Sequence, residues 1–375
     1  MVYGGSFDPP HKGHLSLLKA AAKAIKPDEI RIMPAYHSPF KRKSAVSADS
    51  RLEMIEKTFR AAFKNQPLTV DRFEISQNRK VYTYQTLTHL KKLFPQAELF
   101  FLAGSDCIGD FAKWKKPDLV KKLARLVTGA RPRSPLKNGD FLLLPGTFPD
   151  VSSTQLREKL WCDGKIPGSI PPQARRFIAE KGLYFQDIHR FLRGALAPKR
   201  YKHSVETAKL ALELADMYGA DPAKTVAAAL VHDCAKAMSA SELLKYALEH
   251  KIKIPLPREI AELRPGLLHS YVGAHIAAEK FGLTDRDSQN SIKFHTTGHG
   301  NMTLFEKIIY VADSSGRDRD YPESALIRET ALSGRLDEAV FMAVRTKLIY
   351  VLRTGRWVFP KGLELWNSLT AKKPD

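Results

Sequence analysis

Gly4-Gly5-Ser6-Phe7-Asp8-Pro9-Pro10-His11-Lys12-Gly13-His14 is the stretch from which the rest of the chain is read. Met1-Val2-Tyr3 before it is a short apolar run, and the two glycines fall where such a strand should end. After it, Leu15-Ser16-Leu17-Leu18-Lys19-Ala20-Ala21-Ala22 has helix composition. The order is strand, glycine turn, histidine pair, helix start. Glycine lets backbone approach a phosphate without a side chain between them. A helix N-terminus offers N–H groups and the positive end of a dipole. Histidines three residues apart share one face and can reach the same anion. Such a site needs no covalent nucleophile; it has to stabilise charge that builds on a phosphoryl group.

The whole run resembles the signature of the nucleotidylyltransferase superfamily. In the form GGSFDPPHKGH it is most similar to the nicotinate-nucleotide adenylyltransferase family. Working outward, Glu29 to Pro34, Leu68 to Val70, Leu99 to Asp106, Leu123 to Thr128 and Phe141 to Leu144 read as strands. Ser50 to Phe63 reads as an amphipathic helix with Leu52, Ile55 and Phe59 on one face. Alternating strands and helices imply a parallel sheet covered on both faces, with the ligand at the carboxyl ends of the strands. Val151-Ser152-Ser153-Thr154-Gln155-Leu156-Arg157 resembles the superfamily's ISSTxxR motif. Hydroxyls at a helix start, with an arginine on the first turn, form a second phosphate cradle.

The resemblance covers about residues 1–185 and implies site residues by position. Gly4, Gly5, Ser6 and Phe7 line the nucleotide, and His11, His14 and Arg157 act on the transferring phosphate. Lys41, Thr83, Gly104, Asp106, Trp114, Ser152, Ser153 and Thr154 bind substrates. Thr83 lies in Tyr82-Thr83-Tyr84-Gln85-Thr86-Leu87, similar to the family's SYTxDTL, with Gln85 in place of the usual Asp. Trp114 stands where the family's indole stacks on the nicotinate ring. The implied reaction joins nicotinate mononucleotide to ATP, with Mg²⁺, to give the dinucleotide and pyrophosphate.

Beyond Tyr184 the strand-like runs stop and helical periodicity takes over, so residues 186–375 are expected as a second, all-α domain. His203 falls near the start of one helical stretch and His269 opens another; His232-Asp233 ends the apolar run Ala227 to Val231. His295 lies near a helix end, and Asp313 sits inside Ile308-Ile309-Tyr310-Val311-Ala312. Burying an adjacent His and Asp is costly unless they pair or hold a cation. Nitrogen and carboxylate ligands together suit a first-row divalent metal.

The ordered set H…HD…H…H…D is similar to the HD phosphohydrolase superfamily. His232-Asp233-Cys234-Ala235-Lys236 and residues 294–313 resemble the symmetrical bis(5′-nucleosyl)-tetraphosphatase family over about residues 195–360. That resemblance implies iron held by His203, His232, Asp233 and Asp313, with Asp233 also in catalysis. It places Arg200, Lys236, His269, His295, Thr296 and Arg319 at the nucleotide phosphates. Coordination lowers the pKa of water, and the implied attack on a central phosphorus of diadenosine tetraphosphate releases two ADP. A second ion at His269 and His295 stays open. So do another nucleotide substrate for this half and a role as a regulatory nucleotide-binding module.

Composition narrows the remaining classes. The formal charge of +20 fits polyphosphate ligands. No aromatic-interleaved basic motif marks specific nucleic-acid binding. No run of about 18 apolar residues marks a membrane span, and no apolar core marks a leader. Three cysteines, Cys107, Cys162 and Cys234, lack paired spacing and fit a reducing, cytoplasmic setting. The oligomeric state, a homo-oligomer included, is left open.

Overall fold

The computed structural model describes residues 1–36, 46–130 and 139–371. They divide into two compact units: Met1–Leu160 with Lys165–Tyr184, and Trp161–Gly164 with the residues from Phe185 onward.

The first unit runs β1 (Val2–Gly5), α1 (Lys12–Ile25), β2 (Ile30–Pro34), α2 (Ala48–Ala62), β3 (Leu68–Val70), α3 (Phe73–Ser76) and α4 (Thr83–Leu93). It continues through β4 (Phe100–Leu102), α5 (Ser105–Gly109), α6 (Pro117–Leu123), β5 (Arg125–Gly129), β6 (Phe141–Leu144), α7 (Ser153–Asp163), whose last three residues go with the second unit, and α8 (Pro172–Lys181). All six strands are parallel in the order β3-β2-β1-β4-β5-β6. Strand alternation sorts the apolar side chains to two faces. Tyr3, Ile32, Leu102 and Val127 join one core with Leu17, Leu18, Leu52, Ile55 and Phe59 of α1 and α2. Val2, Met33, Phe101 and Leu126 join the other with Leu87 and Leu90 of α4 and Val120 of α6. The strand order reverses direction between β1 and β4, and a crevice opens at such a switch point beyond the carboxyl ends.

The expected strand Leu123 to Thr128 starts late. Leu123 ends α6, Ala124 turns to an extended conformation, and β5 begins at Arg125. A short apolar run has no periodicity that separates a last helical turn from a first strand residue.

The second unit is helical: α9 (Gln186–Ala195), α10 (Pro198–Tyr218), α11 (Pro222–Val231), α12 (Ala240–Glu249), α13 (Pro257–Leu263), α14 (Leu268–Phe281), α15 (Arg286–Phe294), α16 (Leu304–Ser315), α17 (Glu323–Leu332), α18 (Leu336–Arg353) and α19 (Pro360–Thr370). Helix α16 is buried without interruption from Ile308 to Ser315, as a helix that is apolar on every side must be. It packs against α10, α15, α17 and α18. Its start is fixed by a capping box, Thr303 accepting from the Glu306 N–H while Glu306 reaches back. No helix among the described residues is long and apolar enough to cross a membrane.

Candidate functional sites

In the first unit the candidate site gathers at the carboxyl ends of β1 and β4. Gly4 and Gly5 close β1 under aromatic rings: a Cβ on Gly4 would lie 2.7 Å from Phe101 Cζ, and one on Gly5 2.9 Å from Phe7 Cζ. Phe7 is buried edge-on against Tyr3, Phe59 and His14. This buttress carries the chain to His11, which caps α1.

The two histidines cap each other's backbone. The His14 N–H donates to His11 Nδ1 at 3.3 Å, and the His11 N–H donates to His14 Nδ1 at 3.2 Å. Their rings stack with centroids 3.6 Å apart. An Nδ1 that accepts a hydrogen bond leaves the proton of a neutral imidazole on Nε2. Both rings are thereby set as Nε2–H donors beside the N-terminus of α1.

The serine-rich segment is laced onto the same loop. Ser153 Oγ donates to the Pro9 carbonyl at 3.0 Å, and Arg157 Nη1 to the Asp8 carbonyl at 2.7 Å. Arg157 Nη2 also donates to Thr154 Oγ1, and Ser152 Oγ accepts from the Gln155 N–H. Arg157 is the fifth residue of α7, so it stands on the second turn rather than the first. Gly104 caps α5, and Asp106 is exposed on its first turn. Thr83 opens α4, where Gln85 Oε1 accepts from the Tyr82 N–H at 3.0 Å; a capping role accounts for the amide at that position. Trp114 is buried, its indole N–H donating to the Cys107 carbonyl and its ring edge-on to Phe101. Lys41 lies outside the described residues.

Arg51 and Tyr184 were not evident from the sequence. Arg51, on α2, is 1% exposed, and its guanidinium donates to the carbonyls of Ser6, Ala35 and Tyr36. It ties the ends of β1 and β2 together, and burial draws it below the usual arginine range. Tyr184 donates to Asp8 Oδ1 at 2.6 Å. An arginine on an amphipathic helix ordinarily reads as solvated, so neither signal is local.

In the second unit four imidazoles are aimed before any ligand is considered. The Nδ1 atoms of His232, His269 and His295 each bond the carbonyl three residues earlier, on Ala229, Gly266 and Ile292. His203 Nδ1 bonds Asp318 Oδ2 at 2.8 Å. With Nδ1 as donor, each Nε2 presents its lone pair. His203 Nε2 lies 3.1 Å and His232 Nε2 3.6 Å from Asp313 Oδ1. His269 Nε2 and His295 Nε2 lie 3.0 and 3.4 Å from Asp233 Oδ1, and Asp233 Oδ2 is 3.7 Å from His232 Nε2. Two groups result that could hold an ion, His203–His232–Asp233 and Asp233–His269–His295.

The donor set fits a divalent metal. His232 Nε2 and Asp233 Oδ1 are buried with no hydrogen-bond partner among the described residues. Cations already balance the carboxylates. Arg200 Nη1 donates to Asp233 Oδ2 at 2.8 Å, and Arg319 Nη2 to Asp313 Oδ1 at 2.6 Å. Lys347 Nζ lies 3.4 Å from Asp313 Oδ2. Burial would raise both carboxyls. When protonated, the imidazoles of His232, His269 and His295 hold Asp233 well below the ordinary range, and Lys347 and Arg319, with His203 when protonated, do so for Asp313. Burial pushes His295 down to about 4. Lys236 Nζ is 3.3 Å from the His269 ring nitrogens, and Thr296 Oγ1 is 3.0 Å from His295 Nε2.

Asp318 and Lys347 join the site although neither was singled out in the sequence. Gly316-Arg317 opens the loop that follows α16. Arg317 pairs with Glu213 through Nη1 and Nη2, and the loop delivers Asp318 to His203.

A cytidylyltransferase-like family model matches residues 2–159, and an HD domain model matches residues 200–318. The chain is 30% identical to a Mycoplasma pneumoniae protein named "probable nicotinate-nucleotide adenylyltransferase/Ap4A hydrolase", over 94% of this chain and 98% of that one. Residues amounting to 49% of the chain match 97% of a Clostridium tetani "probable nicotinate-nucleotide adenylyltransferase" at 32% identity. A further 47% matches 92% of the symmetrical bis(5′-nucleosyl)-tetraphosphatase of Bacillus subtilis, also at 32% identity.

Proposed function

The chain belongs to the family of nicotinate-nucleotide adenylyltransferase/Ap4A hydrolases, and we propose on that premise that it carries both activities, each in its own unit. The carrying observation is assembly. Arg157 reaches the carbonyl of Asp8 across 149 positions, and four helices bring the four Nε2 atoms to Asp233 and Asp313.

In the first unit, a phosphate oxygen of nicotinate mononucleotide attacks the α-phosphorus of ATP in line. The new P–O bond forms as the α–β bridge breaks, and pyrophosphate leaves. The His11 and His14 Nε2–H groups donate to the α-phosphoryl oxygens, and the N-terminus of α1 adds its dipole. Arg157 with Ser152, Ser153 and Thr154 takes the charge of the leaving pyrophosphate. Gly4, Gly5, Ser6 and Phe7 shape the floor, while Thr83, Gly104, Asp106 and Trp114 border the mononucleotide side. Bound with ATP, Mg²⁺ would supply neutralising charge to its phosphates.

In the second unit, His203, His232, Asp233 and Asp313 would hold a divalent metal ion, with iron the reading that the family resemblance favours. Such an ion supplies Lewis acidity and makes water a nucleophile near neutral pH. Arg200, Lys236, His269, His295, Thr296 and Arg319 receive the polyphosphate of diadenosine tetraphosphate, which is cleaved symmetrically to two ADP. One purified sample given two assays tests the proposal: pyrophosphate release from ATP with either pyridine mononucleotide, and ADP release from diadenosine tetraphosphate with and without iron. Absence of either activity in metal-loaded protein sinks that half.

A further inference from the structure

The histidine loop of the first unit has few means of holding itself. Pro9 and Pro10 carry no N–H and have a fixed φ, so the chain runs from Asp8 to His11 as a stiff strut that must be secured from outside. Side chains from three places do so. Arg51 of α2 donates to the Ser6 carbonyl, and Arg157 and Ser153 of α7 donate to the carbonyls of Asp8 and Pro9. Tyr184, beyond the end of α8, donates to the Asp8 carboxylate. The segment before α8 adds a backbone bond, from the Lys12 N–H to the Ser169 carbonyl at 2.8 Å.

Three of these donors serve elsewhere as well. Arg157 and Ser153 meet the pyrophosphate in the chemistry above, and Arg51 also binds the carbonyls of Ala35 and Tyr36. Tyr184 is different. Its hydroxyl is 2.6 Å from Asp8 Oδ1, and both residues are 3% exposed. A carboxylate oxygen buried so deeply is costly without a donor. Burial, and then the Asp8 charge, push the Tyr184 hydroxyl well above the ordinary phenol range, so it keeps its proton and stays a donor. The backbone adds a second sign. Tyr184 has φ 54° and Phe185 φ 66°, two successive non-glycine residues in the left-handed region. Such residues persist where the surrounding contacts over-determine them.

We propose that Tyr184 is a positioning residue for adenylyl transfer: through Asp8 it secures the strut that fixes the stacked rings of His11 and His14. The proposal rests on the transferase reading. Tyr184 itself touches no substrate. Without its hydroxyl the strut shifts, the mutual caps of the two histidines loosen, and their Nε2–H groups lose their aim at the α-phosphoryl oxygens.

The test uses the full chain with ATP and nicotinate mononucleotide. Tyr184→Phe keeps the ring and removes one hydroxyl. It should lower kcat of adenylyl transfer by about tenfold, part of what misplaced reacting groups cost, with both KM values within about twofold of wild type. ADP release from diadenosine tetraphosphate should not change. In an Asp8→Ala background the same substitution should add less than about twofold, because the hydroxyl then has nothing to hold. An unchanged kcat in Tyr184→Phe, or an equal loss in both backgrounds, overturns the assignment. A second arm needs no turnover and decides alone if Asp8→Ala proves inactive. In ¹H–¹⁵N spectra of the imidazoles, the His11 and His14 signals are identified by their loss in His11→Gln and His14→Gln. Wild type should show both rings protonated at Nε2 alone, and Tyr184→Phe should move both toward values averaged over the two tautomers. Rings that keep their wild-type signals in Tyr184→Phe also overturn it. If wild type transfers no adenylyl group yet its rings lose their fixed tautomer in Tyr184→Phe, the transferase reading fails and the positioning by Tyr184 stands.

Discussion

The two units meet phosphorus with different materials. In the first, backbone does much of the work: two glycines, a helix N-terminus and a pair of histidines that cap each other. In the second, side chains do it, from buried helices whose imidazoles are locked by carbonyls one turn back. A backbone site is local in sequence, so its eleven residues announce it. A side-chain site is dispersed, so His203 and Asp313 stand 110 positions apart and only their order betrays them. The difference also predicts failure modes. The first site breaks when a loop is reshaped, the second when one donor is removed.

The sharpest way to break this separation is Asp233→Ala. It removes the one carboxylate shared by both ion-holding groups, and hydrolysis should fall by on the order of 10³-fold or more with loss of the activated water. Metal analysis should show the ion lost, while adenylyl transfer stays within about twofold. Joint loss of both activities would mean that the sites are not independent. The converse variant, His14→Ala, should lower kcat of adenylyl transfer by about 10²–10³-fold, the usual cost of one lost oxyanion donor, and leave ADP release from diadenosine tetraphosphate unchanged.

Acid–base behaviour sharpens the contrast, because each unit buries one group of opposite habit. Glu74, packed in the first unit and bonded by Thr86, is pushed up to about 7 by burial. The folded state then holds more protons than the unfolded one between about pH 4.5 and 7. Stability of the first unit should therefore fall as pH rises through that window and level off above it. His189, in the second unit between the Trp161 carbonyl and the Tyr201 hydroxyl, is pulled down to about 4 by burial. Here the unfolded chain holds more protons, so stability is present above pH 6.5 and is lost as pH falls toward 4. Each slope amounts to about 3 kcal/mol at most. Glu74→Gln should flatten the first slope and leave the second, as read by urea unfolding with probes in each unit. A smaller effect is expected from Gly4→Ala. Its Cβ must displace the Phe101 ring, at a cost of about 1–3 kcal/mol in the first unit, with no change in metal content.

Much of this was legible beforehand. The parallel sheet followed from alternating apolar runs, and the helical second half from the loss of them. Both motif sets were readable as ordered residues. What escaped were contacts that depend on three-dimensional closure. Arg51 reads as one more charge on an amphipathic helix, yet the strand ends enclose it. Asp318 lies outside every motif read from the sequence, and only the fold of its loop turns it to His203. Lys347 comes from a helix whose pattern carries no motif, and its place beside Asp313 is set by how α18 packs on α16. The boundary at Leu123 was missed because six apolar-rich residues carry too little periodicity to mark where one element stops.

The bonds from ring nitrogens to Ala229, Gly266 and Ile292 have a consequence for how the second unit matures. They fix the rotation of three imidazoles, and arginine and lysine offset the carboxylates, so the chelating geometry is held by the protein's own contacts. Stripping the ion with a chelator should silence hydrolysis while the far-ultraviolet dichroism of the helices stays as it was.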